Sequence, residues 1–264
     1  MIVPFVPEDP GLRLKIQETM SSSQNRVTRM EHADQIYWLK KSIPNKFRFW
    51  HVLQVLVGYF VPNWRPTASP GGSRGLLVEV SRMARFRDKG LIVPPVVGFT
   101  TDWLLLGDMG STLQDYLKNC PASEVSNIVE KATLLLAHTH NLGLYHGRAK
   151  VNDMVLTPGG QVGWIDFEED IPESDNTPVF WQARELWLFL VSLSRFYDRQ
   201  PDIFHLALSR YAAHVLNPQI VPQMTFLNGL IYPVARLLFP FQKHLSRDVR
   251  YVVIASVFLK KIHV

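Results

Sequence analysis

The distribution of strand and helix patterns is the feature that most constrains the fold of this chain. Extended patterns dominate up to Asp108, with one amphipathic helix among them, whereas helical patterns dominate afterwards and one hairpin interrupts them. This division is typical of an α+β protein rather than of alternating βαβ units. We therefore predict two lobes, a strand-rich N-terminal lobe over 1–108 and a helical C-terminal lobe over 109–264.

The N-terminal lobe is predicted to contain mostly strands. Residues 1–45 are expected to be extended, and VTRMEHADQIYWLKK predicts two strands around a HADQ turn. RGLLVEVSRMARFRDKG predicts an amphipathic helix that ends at Gly90, and LIVPPVVGFTTDWLLLGDMG predicts two further strands. FRFWHVLQVLVGYFV predicts a helix over 47–61, which we interpret as a helical insertion at about 46–65.

The C-terminal lobe is predicted to be mostly helical. Helices are expected from Ser111 or Thr112, then as far as Gly143, and through most of the chain after residue 178. MVLTPGGQVGWIDF is the exception, because its Pro-Gly-Gly tip is typical of a β-hairpin.

Composition limits the class of protein and of partner. The single cysteine, Cys120, allows no intrachain disulfide, and the N-terminus lacks a signal-peptide pattern, so we expect a cytoplasmic protein. The apolar runs near 47–61 and 186–193 are shorter than the roughly 18–20 residues that cross a bilayer. The net charge of +5 favours anionic partners such as nucleotide, anionic lipid or RNA; no DNA partner is expected.

Phosphoryl transfer needs cations on the phosphates and carboxylates that hold Mg²⁺, and the chain carries both in a suitable order. Lys40 ends a hydrophobic strand, where an ammonium group can anchor phosphate. Lys41 is the open alternative, because neighbouring side chains on a strand point to opposite faces. Glu79, in the next predicted helix, is placed to pair with the anchoring lysine.

The loop YHGRAKVNDMVL at 145–156 resembles the catalytic loop of the protein-kinase-like superfamily, whose pattern is His-Arg-Asp-x-Lys-x-x-Asn. His146 matches the His, Lys150 the Lys, and Asp153 stands at the Asn position. Asp166 follows thirteen residues after Asp153 and is followed by Phe167, as in Asp-Phe-Gly. ARELWLFL also resembles the helix behind that loop, with Glu185 where the family usually carries Asp.

Within this superfamily the chain looks most like the bacterial lipopolysaccharide core-sugar kinases, the heptose and Kdo group, and related small atypical kinases. That resemblance implies ATP and Mg²⁺, a sugar or lipid-linked sugar acceptor, and a peripheral position at the cytoplasmic face of the inner membrane. It also implies that Lys40 anchors phosphate and that Glu79 orients the Lys40 side chain. Asp153 and Asp166 would hold metal, and Lys150 would contact the transferred phosphate.

Three departures from the family pattern leave a second interpretation open. Arg148 stands where the general base Asp is expected, and Glu168 replaces the Gly after Asp-Phe. No GxGxxG is present, and the turn SSSQNRV, with Ser22 and Ser23, is the candidate for covering the phosphates. The chain is therefore either a kinase of weak or specialised activity, in which Arg148 binds an acceptor phosphate or stabilises charge on the transferred group, or a pseudokinase that acts as a nucleotide-binding regulator or scaffold.

Several residues have simpler interpretations. Between His138 and His140 we expect one structural histidine near the helix end rather than a metal pair, because the two rings leave the helix on different sides. The acidic run that begins at Glu168 predicts a solvated turn, with substitution for the missing base as the functional alternative. The 47–61 helix suits buried packing or an interface with anionic lipid. RNA binding is a weaker idea, because no strand pair interleaves aromatic and basic residues.

Overall fold

The structure is a computed structural model that describes residues 3–43, 70–169 and 178–262. The chain divides into two compact units, Met1–Asp108 with Asp166–Glu173, and Met109–Ile165 with Ser174–Val264. Antiparallel strands characterise the first unit and helices the second, so the predicted α+β class is confirmed. A single cut at 108 did not anticipate that the segment from Asp166 belongs to the first unit. The predicted 47–61 helix and the 46–65 insertion lie outside the described residues.

The first unit contains a four-stranded antiparallel sheet and two described helices. Its elements are α1 (Pro10–Ser22), β1 (Val27–His32), β2 (Gln35–Lys41), α2 (Gly72–Asp88), β3 (Val96–Phe99) and β4 (Trp103–Gly107), with strand order β1-β2-β4-β3. The predicted HADQ turn is confirmed as a two-residue hairpin. Ala33 and Asp34 both have positive φ, at 48° and 59°, which suits the twist of a tight antiparallel pair.

Helix α1 corrects the prediction that residues 1–45 are extended. Asp9 caps the helix, since its Oδ1 accepts hydrogen bonds from the N–H groups of Gly11 and Leu12 at 2.7 and 3.3 Å. Proline is favoured at the first helical position, and Pro10 occupies it. Leu12 and Ile16, one turn apart, then pack into the core cluster beside the sheet.

The second unit contains helices and a small sheet of order β5-β6-β7. Its elements are β5 (Ser111–Thr112), α3 (Leu113–Asn119), α4 (Ala122–Asn141), β6 (Met154–Leu156), β7 (Val162–Trp164), α5 (Pro178–Leu193), α6 (Ile203–His214), α7 (Ile220–Leu238) and α8 (Arg247–Leu259), with 3-10 turns at Val151–Asp153, Ser194–Phe196 and Phe239–His244. The hairpin predicted from Pro-Gly-Gly is confirmed as β6 and β7. Helix α5 is buried along most of its length and carries buried polar side chains that support the loop before β6.

Candidate active site

A buried lysine lies at the centre of an acidic cluster in the first unit. Lys40, near the end of β2, has a side chain only 8% exposed. Its Nζ lies 2.5 Å from Glu79 Oε1 and 3.1 Å from Asp166 Oδ1. Glu168 Oε1 is 3.6 Å away. The predicted pairing of Lys40 with Glu79 is therefore present, and Asp166 joins it within the same unit.

The adjacent Lys41 makes different contacts. Lys41 points to the opposite face of β2, as the alternation of a strand requires. Its Nζ donates hydrogen bonds to the carbonyl oxygens of Met20 and Ser23 at the end of α1, at 2.7 and 2.5 Å. Lys41 thus satisfies carbonyls that the helix leaves open, and Lys40 is the candidate phosphate anchor.

The charges around Lys40 keep it protonated. Burial alone would lower the pKa of Lys40, but the carboxylates of Glu79, Asp166 and Glu168 outweigh burial and raise it well above its ordinary value. Burial raises the pKa of Glu79, and the charges of Asp166 and Glu168 add to that effect against the opposing charge of Lys40. One ammonium group therefore faces three carboxylates. This excess of negative charge attracts a further cation.

Glu168, which follows Asp166 and Phe167, also belongs to this cluster. Its Oε2 accepts a hydrogen bond from Arg26 Nη1 at 2.8 Å, and its side chain is 14% exposed. The prediction of a solvated turn at Glu168 is therefore wrong, because cations from β2 and from the segment before β1 bind its carboxylate. Burial alone would lower the pKa of Arg26, but the hydrogen bond to Glu168 raises the pKa of Arg26 above its ordinary value.

Contacts with α2 hold the segment that carries Asp166. Phe167 is fully buried and packs edge-on against Phe86, with ring centroids 4.8 Å apart. Arg82 lies over the Phe167 ring at 5.8 Å and donates a hydrogen bond to the carbonyl oxygen of Glu169 at 2.7 Å. Asp166 itself has φ 67°, a left-handed conformation that is uncommon outside glycine, asparagine and aspartate. Packing on both sides of the turn therefore fixes the direction of this carboxylate.

The serines predicted to cover phosphate make local contacts. Ser22, in the last turn of α1, donates its hydroxyl to the carbonyl oxygen of Glu18 at 2.7 Å. Ser23 follows that helix, and its Oγ is 2.9 Å from Thr28 Oγ1 and accepts from the N–H of Asn25 at 3.2 Å. These contacts define the turn between α1 and β1. Binding of phosphate by Ser22 and Ser23 stays a prediction.

In the second unit a buried network holds the loop that resembles a catalytic loop. Glu185 of α5 accepts a hydrogen bond from the N–H of Gly147, and its Oε2 lies 3.1 Å from His140 Nε2. His140 Nδ1 is in turn 2.5 Å from the hydroxyl of Tyr211. His140 is buried and His138 is exposed, so the expectation of one structural histidine is confirmed. The sequence pattern did not indicate the part played by Tyr211.

Neighbouring histidines stabilise the negative charge of the buried Glu185. Burial would raise the pKa of Glu185, but the hydrogen bond from His140 and the positive potential of His140 and His146 hold it below its ordinary value. Burial, reinforced by the Glu185 carboxylate, raises the pKa of Tyr211. His146 stacks on Trp164 at 4.8 Å, and its Nε2 is hydrogen-bonded to the Ile165 carbonyl oxygen at 2.9 Å. These contacts of His146 help to hold the loop in place.

Arg148 contacts the carboxylate of its own loop. Its Nη2 lies 3.4 Å from Oδ1 of the buried Asp153, which also accepts a hydrogen bond from Asn152 Nδ2 at 2.7 Å. The N–H of Asp153 donates to the carbonyl oxygen of Lys150 at 2.9 Å, within the turn that shapes the loop. Arg148, Lys150 and Asp153 therefore belong to one short segment. Their catalytic roles stay predictions.

The donor chemistry fits a magnesium nucleotide. Carboxylate oxygens are the ligands that Mg²⁺ prefers, and Mg²⁺ is commonly held by one or two carboxylates together with substrate phosphates and water. Asp166, beside a phosphate-binding candidate in Lys40, suits that arrangement. The described ranges contain no group of three or more His, Cys, Asp or Glu side chains arranged as a metal site. Joint binding of a metal by Asp153 and Asp166 stays a prediction.

The second unit also has a basic cavity next to Asn152, with a volume of about 450 Å³. The described residues that line it are Gln114, Lys118, Asn152, Arg195, Phe196, Arg247 and Tyr251, which include three cations and no carboxylate. Burial lowers the pKa of Arg195 from its ordinary value, and the nearby Arg247 opposes its charge as well. An anion in the cavity would relieve this repulsion.

No protein-family model matches the chain, and no curated protein matches it. One solved structure to which the chain is similar is that of a divergent kinase lacking the glycine-rich loop, which regulates membrane ultrastructure of the Toxoplasma parasitophorous vacuole. The two are 14% identical, each is covered over 81% of its length, and the TM-score is 0.42. A likeness of this size supports no conclusion about function, so the proposals below rest on contacts within the molecule.

Proposed function

We propose that the protein binds ATP with Mg²⁺ and transfers its terminal phosphoryl group to a hydroxyl acceptor. The buried ion pair of Lys40 with Glu79, with Asp166 at 3.1 Å, is the observation that carries this proposal. A buried ion pair is weak evidence for a stabilising role, because desolvation offsets most of the attraction between the charges. A role in binding phosphate therefore explains a buried, protonated lysine among several carboxylates better than a role in stability does.

Each residue of the cluster has a physical task in this reaction. Lys40 donates hydrogen bonds to phosphate oxygens, and Glu79 holds the ammonium group in position. The carboxylate of Asp166 would hold the metal, which would neutralise charge on the phosphates. In the second unit, the resemblance to a catalytic loop would give Lys150 a contact with the transferred group and make Asp153 the second candidate metal ligand.

Substitution of the general base by Arg148 weakens the reaction without abolishing it. The transition state of phosphoryl transfer is loose, so positioning and electrostatics dominate over deprotonation of the acceptor. Loss of a general base typically reduces the rate by about 10²–10⁴-fold. We infer slow or specialised transfer, with Arg148 available to an anionic acceptor.

The basic cavity supports an acceptor that carries an anionic group beside its hydroxyl. It lies next to Asn152, the neighbour of Asp153 in the loop. A core sugar of lipopolysaccharide, presented at the cytoplasmic face of the inner membrane, is the acceptor that we propose from the family resemblance. A protein serine or threonine is the alternative acceptor.

Binding and transfer are tested separately with matched lysine variants. Lys40→Met should weaken ATP binding in the presence of Mg²⁺ by about 10–100-fold, because a charge-assisted contact is lost, whereas Lys41→Met should leave the affinity within about twofold. Single-turnover transfer from γ-labelled ATP should fall in Asp166→Asn as well. Equal losses in the two lysine variants, with thermal unfolding unchanged, would contradict the assignment of Lys40.

A nucleotide-binding regulator without transfer is the second candidate, and the contact between Arg148 and Asp153 favours it. An arginine at the base position that also holds the carboxylate of the loop competes with metal for that carboxylate. This candidate predicts ATP binding that depends on Lys40, with no loss of γ-phosphate in single turnover. Measured transfer that Asp166→Asn abolishes would exclude it.

A further inference from the structure

An exposed row of apolar side chains runs along α7 and the 3-10 turn that follows it. We call these residues the apolar stripe: Phe226, Leu230, Val234, Leu237 and Phe241, which are 59, 44, 60, 73 and 59% exposed. Their spacings of three and four residues place them on one face of a helix. Single exposed apolar residues are ordinary, but a contiguous exposed patch marks an interaction surface.

The opposite face of α7 is fixed within the second unit. Met224, Leu227 and Ala235 are buried. Asn228 Oδ1 accepts a hydrogen bond from Trp187 Nε1 at 3.2 Å, and its Nδ2 donates to the carbonyl oxygen of Ser256 at 3.1 Å. The helix therefore cannot turn the apolar stripe inward without breaking these contacts.

The sequence around the stripe is basic. No aspartate or glutamate occurs from 203 to 247, whereas Arg236 lies on α7 and Lys243 in the 3-10 turn that follows it. An apolar face bordered by cations is the pattern of a helix that lies in the interface of an anionic membrane.

Ile220–His244 is also long and apolar enough to cross a membrane, by length and composition alone. Crossing would expose the buried side of the helix to lipid, including Asn228, whose amide already bonds to Trp187 and Ser256. A position in the interface keeps these contacts and exposes only the stripe. The apolar runs noted in the sequence did not include this segment.

We propose that the apolar stripe binds to the surface of a membrane that contains anionic lipid. The five side chains enter the interface, and Arg236 and Lys243 lie against the headgroups. A second copy of the chain is a poorer occupant, because it would bring two cationic surfaces together. This inference does not depend on phosphoryl transfer, and it involves a different segment from the 47–61 helix.

Sedimentation with vesicles tests the proposal on the full chain. The wild type should bind vesicles of phosphatidylcholine with roughly 30% phosphatidylglycerol, and should bind pure phosphatidylcholine about tenfold or more weakly. The combined variant Leu230→Gln, Val234→Gln, Leu237→Gln should reduce binding by about tenfold or more, because apolar area no longer enters the interface. The matched control is Val3→Gln, Val6→Gln, Leu14→Gln, which changes residues of similar exposure (63, 49 and 59%) in the first unit and should bind normally.

A charge variant separates the two contributions. The double variant Arg236→Gln, Lys243→Gln should lose most of the preference for anionic vesicles and keep the weak binding to phosphatidylcholine. Circular dichroism melts confirm that each variant is folded.

Equal binding by the stripe variant and its control would overturn the proposal. A concentration-dependent dimer that the stripe variant abolishes, without lipid binding, would assign the stripe to a second copy. Resistance to elution by high salt and carbonate would overturn the interfacial position in favour of crossing.

Discussion

The Lys40 cluster in the first unit and the loop of Arg148 in the second unit differ in how many of the groups predicted from the sequence they contain. The cluster has its cation, the partner Glu79 and the candidate metal ligand Asp166 in direct contact. The loop keeps its support from Glu185, yet an arginine replaces the expected base and lies 3.4 Å from Asp153. The contacts around Lys40 and the support of the loop are therefore both present, whereas an arginine occupies the position where the sequence pattern expects a general base.

Removal of the loop's support should have the largest effect. Glu185→Ala should lower the free energy of unfolding by about 3–5 kcal/mol, because Gly147 N–H and His140 lose a buried, charged partner. Glu130→Ala is the control, since Glu130 forms a more exposed pair with Arg210, 3.1 Å away, and it should cost less than about 1 kcal/mol. Urea denaturation measures both values. Similar costs would show that Glu185 is not the support of the loop.

Restoration of the base tests whether the altered residue alone limits transfer. Arg148→Asp should raise single-turnover transfer by about 10–100-fold, because it supplies a general base and removes the cation from Asp153. Arg148→Ala removes the cation without adding a base and should give a smaller increase. If Arg148→Asp is slower than both the wild type and Arg148→Ala, Arg148 acts on the substrate and the loop is specialised rather than degraded.

As pH falls, the wild type should lose stability more steeply than the Glu185→Gln variant, which has no charge at position 185. The pKa of Glu185 in the folded protein is below its ordinary value of 4.5, so its stabilising contribution is present above that value and is lost as pH falls through the folded pKa. Glu185→Gln should show a shallower loss of stability between about pH 5 and pH 3, with a difference of about 1–2 kcal/mol. Urea denaturation at several pH values measures the two slopes, and parallel slopes would contradict this assignment.

The smallest effect is expected at Glu168. Glu168→Gln removes a negative charge 3.6 Å from Lys40 and should raise ATP affinity about two- to fivefold, since repulsion of the phosphates is reduced. Stability should change by less than about 1 kcal/mol, because Arg26, its partner, is 39% exposed. Isothermal titration calorimetry measures the affinity. Weaker binding would instead show that Glu168 helps to hold the nucleotide's metal.

Local patterns were sufficient to predict the hairpins, the helix of Glu79 and the pairing of Glu79 with Lys40. They missed α1, whose signal is the Asp9-Pro10 cap rather than an apolar repeat, although capping rules identify such a start. They also missed contacts between distant positions: His140 meets Glu185 and Tyr211 across 45 and 71 residues. Glu168 was misread for the same reason, because Arg26 lies 142 residues away in sequence. Such contacts depend on tertiary structure that no periodicity encodes.

The backbone at Asp166 leaves few choices of residue. Glycine, asparagine and aspartate reach its φ of 67° with the least strain. If the backbone turn were the only requirement, glycine would adopt it with the least strain. Aspartate is the only one of the three that carries a full charge, and its presence is best explained by what its carboxylate binds. It follows that alanine is a poor test residue at this position, since it would alter the backbone and the charge together, whereas asparagine alters the charge alone.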